Sequence, residues 1–112
     1  MVTRAASFAV EVSELLLLRL LSEREMYGYE LAKAVQTLTR QRLRLGEGLL
    51  YPLLHALEKH GLLRSRRETV AGRPRIYYRT TAGGRRHLTK LMAHWRETRA
   101  LVSFALGESS HA

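Results

Sequence analysis

The sequence predicts a mainly α fold with one small β-hairpin, in the order helix, helix, helix, hairpin, helix. Three observations carry the expectation. Apolar residues recur at three- and four-residue spacing in separate stretches before and after the middle of the chain. Two runs that read as strands flank Val70-Ala71-Gly72-Arg73-Pro74. The net charge of +9 is concentrated: Leu62 to Lys90 holds nine basic residues against the single acid Glu68. Such asymmetry marks a local surface for a polyanion, most economically nucleic acid.

The first helix is expected from about Ser7 to Leu21. Phe8, Val12, Leu15, Leu16, Leu18 and Leu20 leave only Glu11, Glu14 and Arg19 as clear solvent positions. A helix this apolar is buried on more than one side, which in a small protein suggests contact with a second chain. Ser22 to Glu25 is a polar turn. The second helix runs from about Gly28 to Thr39, with Leu31, Ala34, Val35 and Leu38 on one face. Arg40 to Gly46 alternates basic and apolar residues and reads as a turn or a short strand.

The third helix spans about Glu47 to His60 and is closed by Gly61 in a left-handed cap. Placing residues 100° apart puts Leu50, Leu53, Leu54 and Leu57 in one stripe. Gly48, Tyr51, Pro52, His55 and Lys59 lie roughly opposite, with Pro52 expected within the first turn or so, where its missing N–H costs least. Strands at Leu62 to Glu68 and Arg75 to Thr80 follow. Ile76 and Tyr78 are expected to face inward, and Arg75, Tyr77 and Arg79 outward. Thr81 is the expected N-cap of a last helix reaching about Leu106, whose apolar seam comprises Leu88, Leu91, Trp95, Thr98, Val102 and Ala105.

This order is the plan of a winged helix-turn-helix followed by a long C-terminal helix. Residues 1–80 would form the DNA-binding unit, 81–106 a dimerisation helix and 107–112 a flexible tail. The polar front of the third helix suits the major groove. On it Tyr51, His55 and Lys59 are spaced four apart, while the wing arginines Arg73 and Arg75, with Arg64 and Arg66 behind them, suit phosphates or a minor groove. The alternative for Tyr51 is a packing residue, and for His55 and Lys59 ordinary solvated positions.

The residues Tyr27-Gly28-Tyr29-Glu30-Leu31, Leu50-Tyr51-Pro52-Leu53-Leu54 with Leu57-Glu58-Lys59 and Gly61-Leu62, and Arg73-Pro74-Arg75-Ile76-Tyr77-Tyr78-Arg79 leading to Thr81 and Gly84, resemble the signature of the PadR-like transcriptional regulators. The resemblance covers about Leu15 to Leu91 and points to the compact subfamily with a single C-terminal helix. It implies a homodimeric repressor on a palindromic operator in double-stranded DNA, with Tyr27 added to the DNA contacts. The last helix would mediate dimerisation with the first, through Phe8, Val12, Leu88, Leu91, Met92 and Trp95. Some such proteins release DNA on binding a small aromatic or cationic effector, and Trp95 matches the tryptophan that contacts it in one branch; its alternative role is packing at a dimer seam. Three positions depart from the pattern. Leu49 stands for Ser or Thr, Gly46 for a capping Ser, and Thr80 for the usual Leu, the last expected to weaken contact between wing and core.

Other classes fare poorly. The chain has no Cys and, by count, no Asp, so thiol chemistry and thiolate metal sites are excluded and a hydrolytic triad would need Ser, His and Glu. His55 and His60, or His87 and His94, are poorly spaced for one metal ion. No cofactor is expected. No apolar run approaches the 20 or so residues of a membrane span. Met1 to Val10 lacks the features of a secretory signal, which makes a cytoplasmic protein the expectation. The remaining alternative is a winged-helix interaction module that binds protein or RNA.

Overall fold

The computed structural model describes the backbone of residues 4–108 and side chains from Val10 onward. Seven elements follow one another: α1 (Arg4–Glu23), β1 (Met26–Tyr27), α2 (Gly28–Leu38), α3 (Glu47–Lys59), β2 (Leu63–Val70), β3 (Arg73–Thr80) and α4 (Ala82–Ala105). The strands form one antiparallel sheet in the order β1-β3-β2. Four helices and a hairpin appear as expected; β1 was not anticipated. Two residues carry no periodicity, and the strand exists only because Met26 and Tyr27 pair with Tyr78 and Tyr77 of β3.

The core forms where α1, α2 and α3 meet the inner face of the sheet. Leu50, Leu53, Leu54 and Leu57 of α3 are all buried, as their spacing requires, and meet Leu31 and Val35 of α2. On α1 the fully buried positions are Ser13, Leu17, Leu18 and Leu21. Periodicity singles out neither Leu17 nor Leu21, because in a nearly continuous leucine run several helical stripes fit equally well. Leu15, Leu16 and Leu20 pack on the rim of the core. Thr80, at 3 % exposure, donates its hydroxyl hydrogen to the Leu18 carbonyl at 2.9 Å. The departure at this position thus ties wing to core by a buried hydrogen bond.

Helix ends follow from local chemistry. Thr81 caps α4, its Oγ1 accepting from the Gly84 N–H at 2.9 Å while donating to the Gly61 carbonyl. A Cβ on Gly84 would sit 2.1 Å from the Leu62 carbonyl oxygen, so α4 can approach the start of β2 only with glycine there. At the end of α3, Gly61 N–H reaches the Glu58 carbonyl and Leu62 N–H the Leu57 carbonyl, both at 2.9 Å. Gly46 is the N-cap of α3 and, having no side chain, offers its first amides nothing. The same C-terminal motif ends α4, where Gly107 and Glu108 satisfy the Phe104 and Ser103 carbonyls. Residues 109–112 lie outside the described part.

Of the two readings open for Arg40 to Gly46 the structure takes the turn, ordered by the Thr39 hydroxyl, which donates to the Val35 carbonyl and accepts from the Leu43 N–H. Three further expectations change. Pro52 occupies the sixth position of α3, beyond the first turn. Its missing N–H leaves the Gly48 carbonyl without a helical donor, at a solvent-exposed site where the cost is small. The strands are longer than expected and close through Ala71-Gly72, both with positive φ, in a two-residue hairpin turn. Ile76 is 42 % exposed rather than inward. It shares the inner face with Tyr78, but the hairpin there has already run past the helices, and only Tyr78 and Thr80 lie over the core.

Candidate nucleic-acid interface

The front of α3 presents Tyr51, Pro52, His55 and Lys59 to solvent, opposite its buried leucine stripe. The rings of Tyr51 and His55 are 6.5 Å apart. Tyr51 also has a packing role: a Cβ on Gly28 would fall 2.5 Å from its hydroxyl oxygen. The tyrosine ring therefore rests on the first residue of α2. Leu49 is partly buried against the core, so this departure from the family pattern serves packing.

One residue before Gly28, Tyr27 lies on the outer face of the sheet, where the Arg75 guanidinium sits over its ring at 4.4 Å. The edge of Tyr27 meets Tyr77 at 5.6 Å, and Arg66 covers the Tyr77 ring at 4.7 Å. Tyr51, Gly28, Tyr27 and Arg75 thus form one continuous surface running from α3 across the start of α2 to the wing. Arginine stacked on an aromatic face keeps its charge and its hydrogen-bonding edge while losing rotamer freedom. Tyr29, visible in sequence only as part of the Tyr27–Leu31 motif, extends this surface, stacked on Tyr27 and covered by Lys33 at 5.5 Å.

The wing arginines divide into two kinds. Arg73 is exposed beside the turn and Arg64 is exposed at the base of the hairpin, neither with an ion pair among the described residues. Arg66, selected as a DNA contact, is engaged within the protein. Its Nε donates to Glu25 Oε2 at 2.9 Å, its Nη2 to Glu25 Oε1, and its Nη1 to Glu68 Oε2 at 2.8 Å. These hydrogen bonds hold the Glu25 carboxyl below the usual carboxylate range, with the charges of Arg66 and Arg79 adding to the effect. Periodicity gave no sign of the pairing, because Glu25 and Arg66 are 41 residues apart.

At the second candidate surface, Leu88 is buried, Leu91 and Met92 pack on the rim of the core, and Val12 is half-buried. Trp95 is 42 % exposed. Phe8 falls within α1, but its side chain lies outside the described residues. Past Trp95, helix α4 leaves the body of the protein with Leu101, Val102, Phe104 and Leu106 exposed. His87 Nε2 and Glu14 Oε1, 3.0 Å apart, join α4 to α1. No group of three or more metal-ligating side chains occurs among the described residues, and no helix there is long and apolar enough to cross a membrane.

Comparison with known proteins agrees with this architecture. Residues 17–90 match the sequence model of the transcriptional regulator PadR-like family. The chain is 41% identical over 93 residues to the transcriptional regulator Rv3488 of Mycobacterium tuberculosis, covering 80% of this chain and 78% of that one. A PadR family transcriptional regulator from Eggerthella lenta superposes with a TM-score of 0.74 at 34% identity, over 91% of each chain. A PadR-like regulator from Bacillus cereus gives 0.72 at 28% identity, over 86% of this chain and 92% of the other. With its winged-helix architecture, the match across most of its length and these neighbours, the chain belongs to the PadR-like family of transcriptional regulators and is a DNA-binding regulator of that kind.

Proposed function

We propose that the protein acts as a homodimeric, sequence-specific repressor on a palindromic operator. Helix α3 enters the major groove, with His55 and Tyr51 reading base edges and Lys59 at its far end. The amino-terminal end of α2, with Tyr27, and the wing, with Arg73 and Arg75, hold the flanking backbone. The continuous surface from Tyr51 through Gly28 and Tyr27 to Arg75 carries this reading, because it fixes wing and reading helix relative to one another before DNA arrives. Arg66 acts as a brace, being already bound to two carboxylates. The exposed apolar end of α4 is the self-association surface, and Trp95, just before it, is the contact for a small aromatic or cationic effector that releases the DNA.

Binding of DNA fragments selected from a genomic library, measured by fluorescence anisotropy across a salt series, tests the proposal. Log affinity should fall linearly with log salt at about −0.9 per phosphate contact. The double variant Arg73→Ala/Arg75→Ala should weaken binding to every sequence and flatten that slope. By contrast, His55→Ala should change which sequences are preferred, with about 1–3 kcal/mol lost at the affected base pair. Equal, sequence-blind losses from both variants would refute this division of labour.

A further inference from the structure

The outer face of the hairpin holds a second cationic site, set back from the surface described above. Arg64 and Arg79 are directly opposed in the β2–β3 register, so both side chains leave the same face of the sheet. Like charges in that relation destabilise a sheet. Neither arginine has a hydrogen bond or ion pair of its own among the described residues, and both are exposed. The acid beside them, Glu25, takes its hydrogen bonds from Arg66 and reaches Arg79 through its charge alone, while the remaining hydrogen-bonding edge of Arg66 is taken by Glu68. Together Glu25, Arg64, Ser65, Arg66, Tyr77 and Arg79 line a depression of about 370 Å³. From Arg79 to Arg75 is four strand positions, about 13 Å at the rise of an extended chain, so the arginine pair is set back from the Arg75–Tyr27 stack and joined to it through Tyr77.

We propose that the Arg64–Arg79 pair is an anion site that takes a phosphate group, gripped between two guanidinium forks, with Arg66 locked behind it as a fixed positive wall. Arginine forks match tetrahedral oxyanions by paired N–H donors, and an oxyanion between them offsets the repulsion of the two like charges. The phosphate comes either from a free phosphate-bearing small molecule or from the DNA backbone, and the two sources are separable by experiment.

The test uses the full chain without DNA. Inorganic phosphate is titrated against sodium chloride at constant ionic strength, following thermal unfolding and the arginine side-chain NMR signals. Phosphate should raise the unfolding temperature and move the Nε–H signals of Arg64 and Arg79. The Arg64→Gln/Arg79→Gln variant should lose at least tenfold in phosphate affinity. Arg67→Gln serves as the control, since Arg67 pairs with Ile76 on the opposite face. In phosphate-free buffer Arg64→Gln should be no less stable than the native chain, because it relieves the like-charge pair. Equal phosphate responses in the double variant and the Arg67→Gln control would overturn the site. Adding saturating duplex then identifies the source: displacement of phosphate assigns the site to the DNA backbone, and undisturbed binding assigns it to a free ligand.

Discussion

Arg40 has φ 53° at the end of α2, a left-handed conformation that costs an L-residue with a side chain about 1–2 kcal/mol. It is held there because its N–H satisfies the Thr37 carbonyl and Gln41 N–H that of Gln36, closing the helix as Gly61 closes α3. Arg40→Gly should therefore stabilise the protein by about 0.5–1 kcal/mol, part of the relief being lost to glycine's freedom when unfolded; urea unfolding would read it. A drop in stability would mean that the Arg40 side chain supports the turn. Gly28 makes the opposite case. Its missing side chain is the space into which Tyr51 settles. In Gly28→Ala the tyrosine must swing away, an inexpensive motion for the free end of a side chain. The variant should lose less than about 1 kcal/mol of stability yet shift the preferred DNA sites. Loss of folding without a change in preference would show that Gly28 matters to the backbone alone. The leucine stripe of α3 was legible from spacing because it has one solution. Tyr51 on Gly28 and Arg66 on Glu25 were not, since contacts across 23 and 41 positions leave no local pattern.

At the scale of elements, caps and braces set how firmly the wing is mounted. Thr81 was recognisable from sequence as the N-cap of α4, and it also donates to Gly61, joining the end of α3 to the start of α4. Thr81→Ala should cost about 1 kcal/mol from the lost cap, within a range of 0.5–2. Thr81→Ser should retain most of it, as thermal unfolding of the three proteins would show. The brace between β1 and the hairpin makes a pH prediction. Glu25 has its pKa lowered in the folded state by Arg66. Its contribution to stability is thus fully present above the ordinary value of 4.5 and is lost as pH falls through the lower folded value. Glu25→Gln should be less stable than the native chain at neutral pH and should converge with it in acid. Parallel stability curves down to strongly acidic pH would show that the pair contributes nothing to folding. Only the three-strand pairing brings these partners together, and β1 itself is too short to announce its strand in sequence.

Across the whole molecule, the length of α4 and its exposed apolar end are what the proposed dimer rests on. The chain measures 56 × 31 × 27 Å, and its long dimension reflects 24-residue α4 extending beyond the core. A solvated helix end would carry polar residues on all sides, yet Phe104 is 85 % and Leu101 68 % exposed, with Val102 and Leu106 beside them. An apolar patch of this kind on a small basic protein marks an interface. In a two-fold dimer the two α3 helices would meet successive major grooves about 34–36 Å apart, the separation that a palindrome supplies. Sedimentation of the native chain should give twice the 12.8 kDa monomer mass, with an unfolding temperature that rises with protein concentration. Val102→Glu should place charges against each other in the seam, release monomers, and remove the concentration dependence. Because α3 and the wing stay intact, the monomer should still bind a half-site, while the advantage of a full palindrome over that half-site disappears. A native chain that sediments as a monomer at micromolar concentration would leave the end of α4 unexplained and would detach the operator's symmetry from the protein's own.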